Sequence, residues 1–204
     1  MRWKKIDNPK RVQNKGKYTD WKAQISDDCF NQCVYCSIHE GPWGGIDHYH
    51  IDHFRPQFSH GHLTHVIHNL YHCCPVCNKF KSKDWPNEPD NLDKICYPDP
   101  GDHNYSDLFV ISPKNYTLSG KNTAASYVIN RLYLNRPQLI YERREHFLQI
   151  KAKELIAETK ILMELSEDLA HVKKAALLIA NITIHLQLRN NVPPYKLIEL
   201  KKVK

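Results

Sequence analysis

The spacing of apolar residues changes character along this chain, and those changes divide it. As far as about residue 85 the apolar runs are short, broken by Cys, His, Gly and aromatic residues, with no helical period until after Cys77. Residues 86–106 set Pro86, Pro89, Pro98, Pro100 and Gly101 among Asp and Asn, the composition of an irregular connection. A hairpin is expected next, with strands at Leu108–Ile111 and Tyr116–Leu118 around a Ser112-Pro113-Lys114-Asn115 turn, ahead of Gly120. From Asn122 the period is helical. One helix is predicted from Thr123 to Leu134, closed before Pro137 because the residue ahead of a proline is disfavoured in the α region. A longer helix carries Leu148, Ala152, Leu155, Thr159, Leu162 and Leu165 on one stripe, at steps of three and four residues. Ser166-Glu167-Asp168 supplies an N-cap and acidic first turn for a third helix, which is expected to bury Leu169, Val172, Ala176, Ile179 and Leu186. Asn190-Asn191-Val192-Pro193-Pro194 closes that helix and a short basic tail follows. The short connection between the two long helices predicts antiparallel packing.

These patterns predict an α+β chain in four segments. They are a basic N-terminal arm (1–28), a Cys- and His-rich core (29–95), a connecting loop, hairpin and helix (96–136), and a C-terminal helical hairpin with its tail (137–204). None of the apolar runs among the 204 residues approaches the length of a membrane span, and none follows the basic N-terminus as in a signal peptide. A cytoplasmic protein is therefore expected. The formal net charge of +7 favours an anionic partner such as nucleic acid. Arg2, Lys4, Lys5, Lys10, Arg11, Lys15, Lys17 and Lys22 are concentrated in the arm, where they either track phosphates or form a solvated terminal segment.

The chemistry lies in the core. The chain has seven cysteines and thirteen histidines, and six of the cysteines are clustered: Cys29, Cys33, Cys36, Cys73, Cys74 and Cys77. In a reducing compartment such clusters point to metal before disulfides. Cys33-Val34-Tyr35-Cys36 and Cys74-Pro75-Val76-Cys77 are two CxxC turns, each able to present two sulfurs to a tetrahedral zinc ion. Cys73 competes with Cys74 if the register slips, and Cys29 competes with Cys33; the CxxC spacing favours Cys74. Cys29, Cys73 and Cys96 are then small buried residues. The interval between the turns exceeds the roughly fifteen to twenty residues of a common zinc ribbon, so a functional insert is expected there.

That insert holds His50-Ile51-Asp52-His53-Phe54-Arg55-Pro56 and His68-Asn69-Leu70-Tyr71, and the second turn runs on into Asn78-Lys79-Phe80-Lys81. The order Asp-His, Asn-Leu, Cys-x-x-Cys-Asn-x-x-Lys resembles the HNH endonucleases, whose ββα-metal site is often braced by zinc between two CxxC pairs. The resemblance covers about Cys33 to Trp85. It implies a structural zinc on Cys33, Cys36, Cys74 and Cys77, His53 as general base, Asp52 as a ligand of the catalytic metal, and Asn69 as the asparagine that ties the loop to the hairpin. Asn78 stands where the family name has its last histidine, and its carbonyl oxygen suits a hard cation, Mg²⁺ or Mn²⁺. Arg55, Lys79, Lys81 and Lys83 flank these groups as candidate phosphate contacts or as a solvated basic face. His50 is an extra ligand, a phosphate contact or an ordinary hydrogen-bonded histidine, and Trp43 and Trp85 read as packing residues. His60, His62, His65, His68 and His72 match no role.

A looser similarity, over residues 1–145, is to the PtuB-type HNH nucleases of bacterial anti-phage Septu and retron-associated systems. It implies a defence effector working with an ATPase subunit of the PtuA type. DNA is the expected substrate. The alternatives are RNA, for example tRNA, and a zinc-braced nucleic-acid-binding module without catalysis. One geometric conflict is visible: successive side chains of a strand face opposite sides, so Asp52 and His53 share a site only if the strand is distorted there or if the metal and the water approach from different directions.

Overall fold

Helix α1 (Lys22–Asp28), a one-turn helix α2 (Gly45–His48), strands β1 (His50–His53) and β2 (Leu70–Cys73) and helix α3 (Pro75–Lys81) follow one another and carry the Cys- and His-rich segment. The structure is a computed structural model and describes residues 3–164 and 169–191. A second group follows: the one-turn helix α4 (Tyr105–Leu108), strands β3 (Phe109–Ile111) and β4 (Leu118–Gly120), and helix α5 (Thr123–Arg131). Two long helices, α6 (Pro137–Glu164) and α7 (Leu169–Asn191), complete a mixed α/β chain. The chain divides into two units, Met1–Arg136 and Pro137–Lys204. No helix among the described residues is long and apolar enough to cross a membrane.

In the first unit β1 and β2 pair antiparallel, with His50 opposite Cys73, Asp52 opposite Tyr71 and His53 opposite Leu70. All four residues of β2 are buried. Pro75 at the first position of α3 gives up no hydrogen bond there, and Cys74 caps the helix by accepting from Cys77 N at 3.4 Å. Strand, strand and helix are thereby held in one piece.

The segment expected as a basic arm is part of this body from Trp3 onward. Trp3 and Ile6 are buried, Trp3 Nε1 donates to Tyr35 O at 3.0 Å, and the Trp3 ring meets Phe109 edge-on. Arg11 is buried too. It donates to Asp28 Oδ2 (3.0 Å), Asn8 Oδ1 (3.2 Å) and Leu70 O (2.7 Å), so it satisfies protein acceptors instead of tracking phosphates.

The second hairpin forms two residues later on its C-terminal side than expected. β3 pairs with β4 as Phe109↔Gly120 and Ile111↔Leu118. Tyr116 adopts φ 58° and donates its N–H to Ser112 O, and Asn115 Oδ1 takes Thr117 N, so the loop consumes residues assigned to the strand. Helix α5 is capped by Asn122, whose Oδ1 accepts from Ala125 N at 2.8 Å. It stops at Arg131, three residues short of expectation. Tyr133 turns left-handed (φ 48°) and Leu134 N closes on Ile129 O, a Schellman-type ending.

In the second unit α6 and α7 pack on each other. On α6 Thr159 is buried and Leu148, Ala152, Leu155 and Leu162 are half-buried, which is the expected stripe. On α7 the expected stripe is the wrong one: Leu169, Val172, Ala176 and Ile179 are exposed, while Ala175, Leu178 and Ile182 turn inward. The helix is apolar over most of its circumference, so two stripes satisfy the same period and periodicity alone does not choose between them. Leu165, the expected Ser166-Glu167-Asp168 cap, the Leu186 side chain and the tail lie outside the described residues.

Candidate cleft and metal centre

The two CxxC turns meet. In the first, Cys33 N takes Ile38 O and Ser37 N takes Cys33 O, closing a tight loop in which Ser37 adopts φ 55°. Val34 N then donates to His72 O on β2 at 2.9 Å, which docks the loop beside Cys73-Cys74. Cys33, Cys36, Cys74 and Cys77 are buried and their Sγ atoms all lie within 4.8 Å of one another. Four thiolates around an ion at about 2.3 Å stand about 3.8 Å apart in a tetrahedron. Cys36 and Cys74 are at 3.8 Å. The four can therefore hold a structural metal. Arg136 directs its guanidinium at the cluster, donating to Cys77 Sγ at 3.6 and 3.7 Å and to Cys74 Sγ at 3.9 Å. A cation there offsets the negative charge that four thiolates would leave around a divalent ion. Sequence spacing did not single out Arg136.

Of the neighbouring cysteines, Cys73 borders the four, with its Sγ 3.9 Å from Cys33 Sγ and donating to Cys74 O at 3.4 Å, while Cys29 Sγ accepts from His72 N at 3.3 Å. Burial pushes the Cys29 thiol up to about 12, so it stays neutral.

A cleft of about 470 Å³ opens on the other side of the hairpin, lined by Tyr18, Ile51, Asp52, His53, Pro56, Gln57, Phe58, Asn78, Lys79, Ser82 and Lys83. His53 is half-buried in it, with Tyr18 packed edge-on at 4.8 Å between ring centres. His53 Nε2 lies 3.1 Å from Thr64 O. A carbonyl only accepts, so Nε2 carries the proton of the neutral ring and Nδ1 keeps the lone pair. Burial holds the ring below the ordinary histidine value of 6.5, so it is neutral at pH 7. Asn69, buried at the base of the loop, accepts from Arg55 N (2.7 Å) and donates to Arg55 O (3.0 Å), fixing the chain as it leaves β1. Asn78 Nδ2 meets His50 Nδ1 at 3.0 Å.

Asp52 departs from expectation. It is 4% exposed, and its carboxylate accepts from Tyr35 Oη at 2.6 Å and from Lys81 Nζ at 3.1–3.2 Å. Lys81 is 0% exposed and also donates to His53 O at 2.8 Å. The ion pair thus removes two residues from their expected roles: Lys81 is unavailable to phosphates, and the Asp52 charge is neutralised where a metal ligand was expected. Asp52 and Asn78 both line the cleft, but the Asp52 oxygens are taken by Tyr35 and Lys81 and Asn78 is held by His50, so the two do not present a free charged oxygen pair. Arg55 is likewise engaged, with Glu88 Oε2 at 2.9 Å and the rings of Phe54 and Trp85 against its guanidinium. Trp85 itself stacks on Tyr97. Of the four basic candidates only Lys79 and Lys83 line the cleft. The sequence pattern does not point to Tyr18 or the Thr64 carbonyl, which belong to no motif, or to Tyr35, which occupies a variable position inside the first CxxC turn.

Lys81→Met should cost about 3–5 kcal/mol of stability, because it strands the Asp52 carboxylate in the interior. Urea unfolding measures it. An unchanged midpoint would mean that Lys81 is not the counter-ion and remains free for phosphate.

Comparison of the chain with protein-family models, with curated proteins and with solved structures finds no match.

Proposed function

We propose that this chain is an endonuclease of the HNH kind, hydrolysing phosphodiester bonds of nucleic acid, DNA first. The observation that supports it most is His53: a neutral imidazole in a cleft, its tautomer fixed by a backbone carbonyl so that Nδ1 is left to take a proton from water. The cleft's single acidic residue, Asp52, is cancelled by Lys81, so Lys79 and Lys83 leave it electropositive and suited to a phosphate backbone. In this reading the lysines position the strand, His53 accepts the proton of the attacking water, Asn69 holds the loop bearing Arg55 and Pro56, and a zinc ion on the four cysteines braces β2 and α3.

The resemblance also brings a divalent cation, Mg²⁺ or Mn²⁺. When bound, such an ion supplies charge stabilisation at the phosphoryl and leaving oxygens. The side chains as arranged fit it poorly. With Asp52 paired to Lys81 and His50 Nδ1 taken by the Asn78 amide, the ligand atoms left are Asn78 Oδ1 and His53 Nδ1, a set without the carboxylate that Mg²⁺ favours. The steps assigned here therefore belong to His53, Lys79 and Lys83.

The test is cleavage of supercoiled plasmid and of RNA across pH, with Mg²⁺ or Mn²⁺ supplied. Cleavage is expected, with kcat/KM level at neutral pH and falling as acid protonates His53. Because burial lowers that group, the fall should lie below about pH 6.5, the unperturbed histidine value. No cleavage of either polymer with either ion would remove the reading, and an acid limb above that value would remove His53 from the base role.

A further inference from the structure

We propose that Phe58 is a base-stacking residue and that the cleft takes a strand carrying an unpaired nucleobase beside the phosphate to be cut. This rests on the cleft being the nucleic-acid site proposed above and adds the form of the substrate to it.

Phe58 is 81% exposed, more than any other large apolar side chain among the described residues. A single exposed apolar ring is ordinary by itself; what distinguishes Phe58 is its place in a cleft lining shared with His53, Lys79 and Lys83. The backbone presents it firmly. Ser59 N and His60 N both donate to Pro56 O, at 3.1 and 2.9 Å, forming a tight turn with Phe58 near its tip. Asn69 clamps Arg55 on the near side of that turn. These bonds hold the Phe58 backbone at the rim of the cleft.

Its surroundings specify the ligand. Lys83 Nζ lies over the ring at 5.1 Å, and Lys83, Lys79, Gln57 and His53 share the cleft with it. Cations beside an aromatic face match the alternation of phosphate and base along one strand. In an intact duplex the faces of the bases are covered by one another, so a ring at the rim can stack only on a base that has left the stack. Single strands, flaps and loops offer such bases. DNA and RNA offer the same face, so both are tested.

The experiment uses the full zinc-loaded chain and short oligonucleotides of DNA and of RNA carrying one 2-aminopurine, whose fluorescence is quenched by stacking, with no divalent ion added. Quenching is expected on single strands. Phe58→Ala should remove it and weaken single-strand binding by between about 5-fold and 150-fold, the range of one base–aromatic stack. Phe58→Trp should preserve both. Duplex of the same sequence should respond little to either change. Single-strand binding unchanged in Phe58→Ala, an equal loss on duplex, or no binding by the wild type would each overturn the inference. Plasmid and RNA cleavage separates this from the nuclease reading. Stacking without cleavage keeps the base site and loses the enzyme, whereas cleavage without a Phe58 effect keeps the enzyme and loses the base site.

Discussion

Cys77→Ser, and equally Cys36→Ser, should abolish metal binding at the four-cysteine site, with zinc the proposed ion, and unfold the first unit at ordinary temperatures. Structural zinc contributes on the order of 10 kcal/mol or more to the folding of small sites, and a whole domain is stable by only about 5–15 kcal/mol. Removing the ion therefore exceeds what the remaining contacts can offset. The geometry gives a reason for the size of the effect: Cys74 and Cys77 form the first turn of α3, and the Cys33–Cys36 loop is docked on β2 through Val34 N. Without the ion the thiols of two separate segments are buried against one another and against Arg136 with nothing to bind them. Zinc stoichiometry and thermal melting should fall together in both variants, while Cys29→Ser and Cys96→Ser keep their zinc. Full zinc content in both Cys36→Ser and Cys77→Ser would show that the ligands lie elsewhere.

The cysteine cluster was legible in the sequence because a CxxC turn encodes its geometry locally. Two such turns need only be brought together, and β2 running directly into Cys74 does that. The competition between Cys73 and Cys74 is settled by the helix: Cys74 is the N-cap and shares a turn with Cys77, whereas Cys73 belongs to the strand. The roles around the cleft were less legible. Lys79, Lys81 and Lys83 read as one basic run, but residues two apart on a helix do not face the same way. Lys79 is exposed, Lys81 enters the core, and Lys83 follows the helix end. That Asp52 awaits Lys81 inside is a contact between distant segments, invisible to spacing. Asp52 and His53 both border the cleft, and what separates their roles is the pairing of Asp52 with Tyr35 and Lys81.

The N-terminal segment misleads for a related reason. Its charge count dominates its composition, yet the residues that decide its placement are the few that are not solvated: Trp3, Ile6, Arg11, Trp21, Ile25 and Ser26. On α7 the opposite holds, since too many apolar residues leave the buried face undetermined. Phe58 could have been noticed as an aromatic residue in an otherwise polar Arg55–His60 stretch, but its exposure is a property of the turn that carries it.

The account stands on His53, and the decisive measurement is single-turnover cleavage by wild type and His53→Ala, with zinc content and thermal melting recorded on the same samples. Removing a general base costs about 10²- to 10⁴-fold in rate. His53 is half-buried and outside the cysteine cluster, so its loss should leave zinc stoichiometry intact and melting close to wild type. A rate loss of that size with zinc and fold retained is the result expected. Cleavage by His53→Ala at the wild-type rate would contradict it.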